Sequence, residues 1–427
     1  MAQRYNIALI GFGTVGEGVY RTIENKRAKL EALIGRQINI PFVLVKNTRR
    51  QRHVSRETVV TSSLEDILNS EMKLDLAVEA VSDAESAYPY VDRLLKLGVP
   101  VVSANKELIA KRGPELQRIA AANKCRLLYE AAVAGGIPLL NTLRHALKVN
   151  TIVKLEGILN GTSNFMLTKM REDRLTFAEA LQEAQEKGYA EAVPDKDVDG
   201  WDAYFKTTIL SQWLYGKSPR WEAPEPVGIR AVGGEDMELG EQLCGRIKHI
   251  ASLVKEGETI RASVRPSFVF HGHPLFGVEG VNNGVHIEGS IVGSLLLQGP
   301  GAGKYPTSSA VVEDIVSVLT NPWEQEKDGS EFIAHGFPEK QDSDQRGDDG
   351  SSLWFVTGKH GLLQSLAQAG AELLQSAVHP KQKTAAIVEA VEEKVELLKL
   401  LSKGTVEVYP VLADRQTVIG ARHSVAL

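Results

Sequence analysis

Between Gly188 and Thr207 the chain reads GYAEAVPDKDVDGWDAYFKT. Five carboxylates, Glu191, Asp195, Asp197, Asp199 and Asp202, precede one lysine, Lys206, with Trp201, Tyr204 and Phe205 interleaved. Such a stretch is either a solvated loop capping a helix or a pocket for a cationic group. A helix over residues 198–215, with Asp199 as N-cap, sets Asp202 and Lys206 four apart on one face. The bland reading is an exposed ion pair worth about 0.3–0.5 kcal/mol. Ile209, Leu210 and Trp213 follow Lys206 at i+3, i+4 and i+7, so Lys206 borders the buried face. A lysine against an apolar wall loses solvation, and its neutral form becomes accessible. That suits proton transfer to a reacting oxygen. Upstream, Glu191 and Asp197 are candidates to hold a substrate ammonium group.

A second cluster lies near the N-terminus. Gly11-Phe12-Gly13-Thr14-Val15-Gly16 is G-x-G-x-x-G, placed after an expected strand and opening an expected helix. There the first glycine allows the tight turn, the second admits a pyrophosphate and the third lets helix pack on strand. The second expected strand runs into VKNTRRQR, where an NAD-selective site carries a carboxylate. Arg49 and Arg50 suit a 2′-phosphate instead, so NADP(H) is expected over NAD(H); the alternative is a solvated basic turn. SANKEL carries Ser103 and Lys106 at the C-terminal edge of a central strand, where ligands of open α/β sheets bind. YEAAVAGGIP brings Glu130 and glycine-freed carbonyls to a strand end. These are hard oxygen donors, although taken alone a plain β–α turn is the simpler reading. QGPGAGKYPTSSA is either a loop or a backbone surface against a cofactor, and by itself does not decide.

The elements behind these residues divide in three. Residues 1–137 alternate strand and helix patterns, including strands at 5–10, 38–45, 74–81, 99–104 and 126–133 and a helix at 14–34. This predicts a doubly wound parallel sheet, an α/β dinucleotide-binding domain. Residues 138–322 show more alternation and predict an α+β domain with a mostly one-sided sheet. Its last helix is expected at about 306–321, with Thr307 or Ser308 as N-cap. Residues 323–350 are polar and aperiodic, a linker. Residues 351–427 read βαββαβ, the ferredoxin-like split unit. This unit is expected to fold apart, so truncation near Gly350 is expected to leave a folded, active protein.

The 427 residues exceed one core. A net charge of −5 argues against nucleic acid or an anionic membrane as main partner. Two cysteines, Cys125 and Cys244, form no ligand or disulfide framework, and the apolar runs are too short to span a bilayer. A cytoplasmic location is expected.

Together GFGTVG, SANK, YEAAVAGGIP, NGTSNF, the acidic stretch ending in Lys206, and GPGAGKYPTSSAVVEDI resemble the homoserine dehydrogenase family, in its order, over residues 5–320. The resemblance implies NAD(P)-dependent interconversion of L-aspartate 4-semialdehyde and L-homoserine, on the route to threonine, methionine and isoleucine. It implies Lys206 as proton donor to the carbonyl oxygen, Asp202 beside it, Glu191 on the substrate amino group and Lys106 where cofactor and substrate meet. Glu130 with the carbonyls of Val133, Gly135 and Ile137 matches the family's sodium (Na+) site, and Gly303 a glycine near the nicotinamide. A homodimer or homotetramer is implied, with residues 138–322 as the substrate-binding and dimerisation domain and its last helix returning to the nucleotide domain. Val193 departs from the family's usual Asp. The C-terminal unit resembles an ACT domain, implying an amino-acid effector such as threonine or an assembly role. Its turn TGKHGLL carries Gly358 and His360 where that fold has Asp and Pro. The competing readings are a non-catalytic NADP-binding sensor and a dehydrogenase for another amino-acid semialdehyde.

Overall fold

The computed structural model describes residues 4–321, 351–359, 361–381, 383–402 and 405–421. The expected linker and His360 lie outside them. Six parallel strands, β1 (Arg4–Ile10), β2 (Gln37–Leu44), β3 (Val59–Thr61), β4 (Leu76–Glu79), β5 (Val101–Ser103) and β6 (Leu127–Leu128), form a sheet in the order β3-β2-β1-β4-β5-β6. Ile7 to Ile10 are fully buried, because helices cover both faces. Val19 and Ile23 of the Thr14–Ile34 helix pack on one side with Val311 and Ile315 of the Lys304–Thr320 helix. Val91 and Leu108, from the Ala84–Lys96 and Lys106–Ala122 helices, pack on the other. The order reverses beside β1, which puts the glycine turn at the crevice where such sheets bind ligands.

The strand expected at 126–133 is only Leu127–Leu128. The chain then turns into a 3-10 helix, Glu130–Ala132, because polar groups capture it. The Glu130 amide donates to Asp314, and its carboxylate accepts the Leu140 and Asn141 amides at 2.8 and 2.6 Å. Two expected caps also differ. Asp199 is not an N-cap: a short helix, Asp195–Val198, ends there, and the next, Trp201–Tyr215, starts after Gly200 in the left-handed region, φ +89°. Thr307 and Ser308 lie inside the last helix, which begins at Lys304 after Gly303.

The second sheet has ten strands. β7 (Ile152–Ile158), β9 (Gly245–Glu256), β10 (Thr259–Phe270), β11 (Asn282–Gly289) and β12 (Gly293–Pro300) are antiparallel neighbours in the order β12-β11-β7-β9-β10, with β8 (Arg220–Trp221) alongside β10. Alternate residues Leu155, Leu253 and Ile287 face the Trp201–Tyr215 helix through Ala203, Ile209 and Leu210.

The C-terminal segment has the expected βαββαβ succession. β13 (Ser351–Gly358), β14 (Glu372–Val378), β15 (Thr384–Val391) and β16 (Val406–Leu412) pair antiparallel in the order β16-β13-β15-β14. It does not stand apart. β16 pairs in parallel with β10, setting Phe268 opposite Val411, and the two parts make one sheet. Phe268 stacks on Phe355 at 4.3 Å, and Ile387, Tyr409 and Met237 share the cluster. At its rim Lys383 pairs with buried Asp236 at 2.6 Å and His379 meets Glu238 at 2.8 Å.

Candidate active site

At the crevice Gly11 has φ +100°, and a side chain there would strike the Ala80 carbonyl. A Cβ on Gly16 would strike the Gly11 carbonyl, so strand and helix touch through glycine. Gly13 faces open space at the N-terminus of the Thr14–Ile34 helix, which has no side-chain cap. A helix start of this kind suits an anion. Phe12 packs edge-on against Tyr20 at 5.7 Å, Thr14 is exposed and Val15 partly buried. Residues 46–50, Arg49 and Arg50 included, are exposed just past β2, and Lys46 leans to Ser86 at 3.1 Å.

Ser103 turns inward, donating to Glu79 at 2.5 Å. Glu79 also accepts the Val81 amide at 2.7 Å and is wholly buried, which pushes its carboxyl up to about 7. Asn105 caps the Lys106–Ala122 helix through Leu108 and donates to the Val81 carbonyl. This helix start aims Lys106 across to the second sheet's helix.

There Lys106 meets Lys206 on the two oxygens of Asp202. Lys106 Nζ pairs with Oδ1, and Lys206 Nζ donates to Oδ2 at 2.8 Å and to the Leu159 carbonyl at 2.6 Å. Asp202 is 3% exposed, the Lys206 side chain 8% and the Lys106 side chain 41%, so the cluster opens at Lys106. Asn160 links Asp197 and Asp202 through one amide nitrogen at 2.8 and 2.9 Å, and Asn283 donates to the same Leu159 carbonyl. Burial opposes the Asp202 charge, but the two lysines outweigh it and hold the carboxyl well below the usual range. Burial lowers Lys206, with Asp202 working the other way. Asp202 raises Lys106, with Asp197 and Glu191 adding to it. Burial, then the Asp202 charge, raises Asp197.

The acidic stretch therefore divides. Asp195 and Asp199 are outside the cluster, both bound by Arg230. Glu191 is exposed at the rim, and Val193 is 72% exposed, touching no core. Lys196 bridges to Glu107 at 2.8 Å, a second contact between the two parts. The 301–303 loop lies behind: a Cβ on Gly135 would strike the Gly301 carbonyl, and one on Gly301 would strike Asn283. Gly303 ends that loop. Sequence reasoning did not single out Asn160, Asn283 or Glu79. For Asn160 a signal existed, since Asn before a helix caps it, here through Ser163.

The family model described as homoserine dehydrogenase matches residues 138–316, and its NAD binding domain matches residues 11–130. A homoserine dehydrogenase of Lactococcus lactis is 40% identical over 331 residues, 76% of each chain. The chain belongs to the homoserine dehydrogenase family. It is thus an oxidoreductase with a nicotinamide-dinucleotide domain. The family's Bacillus subtilis member is 37% identical over 74% of this chain and 73% of its own. The Thiobacillus denitrificans homoserine dehydrogenase structure superposes with a TM-score of 0.83 at 29% identity, covering 96% of this chain and 99% of that one, so the likeness extends into the C-terminal segment. A hyperthermophilic archaeal family member in complex with NADPH has a TM-score of 0.63 at 28% identity and covers 74% of this chain and 97% of its own. Among the described residues no helix is long and apolar enough to cross a membrane.

Proposed function

We propose that this chain interconverts L-aspartate 4-semialdehyde and L-homoserine with NADP(H), and that Lys206 gives the proton to the carbonyl oxygen. The observation that carries this is the Lys106–Asp202–Lys206 cluster where nucleotide and substrate sheets meet. A buried lysine is a stronger acid than a free one, and two hydrogen bonds fix its aim. Two ammonium groups beside one carboxylate leave a positive surplus, suited to a developing alkoxide. Asp197 and Glu191 hold the substrate ammonium: a cation there would relieve the burial that raises Asp197. Asp202 orients both lysines. The nicotinamide, when bound, supplies the hydride, and Gly11–Gly16, Lys106 and Gly303 line its approach. Purified protein should oxidise NADPH on addition of aspartate semialdehyde; no turnover with it, but turnover with another semialdehyde, would reassign the substrate.

The preference for NADP(H) rests on Arg49 and Arg50. Replacing both with Ala should weaken NADPH more than NADH, by about 1–3 kcal/mol. Sodium fits the oxygen donors of Glu130, Val133, Gly135 and Ile137. Burial raises Glu130, and burial together with the Glu130 charge raises Asp314 to about 7; a cation would offset that crowding. The C-terminal unit is the seat of an amino-acid effector such as threonine or of assembly. Ile291 and Val292, exposed at the β11–β12 turn, offer apolar surface for a homodimer or homotetramer. Threonine titration and sedimentation test these two points.

A further inference from the structure

On the face of the second sheet away from the Lys206 helix, a carboxylate and two imidazoles converge. Glu156 of β7 and His286 of β11 are directly opposite in the antiparallel register. His273 reaches them from the turn before Pro274–Gly277. Nε2 of His273 is 3.2 Å and Nδ1 of His286 is 3.5 Å from one oxygen of Glu156. The three donor atoms lie within 4.8 Å of one another, and the rings stand at 85°. Glu156 and His286 are buried, and His273 is nearly so.

We propose that Glu156, His273 and His286 form a site for a divalent metal ion of borderline softness, of the Zn2+ class. Imidazole and carboxylate donors are that class's ligands. Metal–ligand bonds of about 2.0–2.2 Å at a tetrahedral angle put neighbouring donors about 3.3 Å apart, close to the two N···O separations. The second shell suits the role. His286 Nε2 is 2.8 Å from Ser294 Oγ, which can accept its proton and leave Nδ1 as the ligand. Lys154 holds the other Glu156 oxygen at 2.9 Å.

One contact works against it. The Leu275 amide donates to His273 Nδ1 at 3.2 Å, which places the ring proton of the metal-free protein on Nε2, towards Glu156. A metal at Nε2 requires the other tautomer and ends that cap. Affinity should therefore fall short of a dedicated structural zinc site. The role would be structural. β7 leads to Leu159 and β11 carries Asn283 near its start, so the ion would tie together the two strands that lead to the Leu159 carbonyl, which accepts from both Lys206 and Asn283.

The test is Zn2+ titration of tag-free full-length protein after chelator treatment, with Co2+ as optical probe. Saturable uptake of one ion per chain at micromolar Zn2+, visible Co2+ bands of tetrahedral intensity and a raised melting temperature are expected. Glu156→Gln and His286→Asn should each weaken uptake by at least about 100-fold, since even outer-shell changes cost about 10–100-fold. Unchanged cofactor binding in these variants would show that they fold. Absence of uptake, or uptake unchanged in folded variants, would overturn the proposal and leave a proton-only carboxylate–imidazole cluster.

Discussion

The chain has two seams, and they are built differently. Where the nucleotide-binding sheet meets the Lys206 helix, an apolar layer that includes Leu108, Ile109, Ile209 and Leu210 is closed at the cleft rim by charge, through Lys106–Asp202 and Lys196–Glu107. Where the second sheet meets the C-terminal segment, carbon and sheet dominate, through Phe268 on Phe355 and β10 on β16, with Lys383–Asp236 and His379–Glu238 at the rim. Charged contacts exchange readily with water and with ligand charges. Stacked aromatic rings and strand pairing do not separate without exposing apolar surface and unpaired amides. A dehydrogenase must admit and release two reactants, and the site proposed above lies at this charged rim.

The contrast can be broken most severely by ending the chain at Asn321. Phe268 would then lose its stacking partner Phe355, and β10 its short pairing with β16. Such a protein should aggregate or melt without cooperativity and should not turn over, as followed by circular dichroism and NADPH oxidation. A soluble, active fragment would show the C-terminal seam to be dispensable.

At the polar seam the largest effect should come from Lys206→Ala. It should lower kcat by about 10²–10⁴-fold while NADPH affinity stays nearly constant. Near-normal turnover would remove Lys206 from the chemistry.

Acid should separate the seams next. Asp202 has a folded pKa below its ordinary value of 3.8. Its contribution is therefore present above the unfolded pKa and is lost as pH falls through the depressed folded one. Hydrogen exchange at Lys106–Ala122 should rise in that acid window before exchange at Ser351–Gly358 does. Simultaneous rises would mean that the seams are not independent. The smallest effect should follow Glu107→Ala, which leaves Lys196 unpaired at the surface. A cost of at most about 1 kcal/mol is expected, fading with added salt, and it should appear in substrate KM rather than in melting temperature.

Much of this was legible in the sequence where the signal is local. The glycine motif needs only its flanking strand and helix, and Asp202 and Lys206 sit one helical turn apart. The rest depends on contacts between distant segments. Nothing near Lys106 announces Asp202, and nothing near Asp195 or Asp199 announces Arg230, which takes both out of the cluster. The βαββαβ pattern was readable in the last segment, but its attachment was not. Phe268 and Phe355 look like ordinary core residues of separate sheets until β16 pairs with β10.

The Leu159 carbonyl, which accepts from both Lys206 and Asn283, is a backbone atom. Every residue that could replace Leu159 brings the same oxygen. Side-chain scanning would therefore report position 159 as tolerant, apart from its packing, while the atom that aims the lysine went untested throughout. Only a change to the main chain itself, such as an ester in place of the following amide to weaken that acceptor, would reveal how much the lysine depends on it.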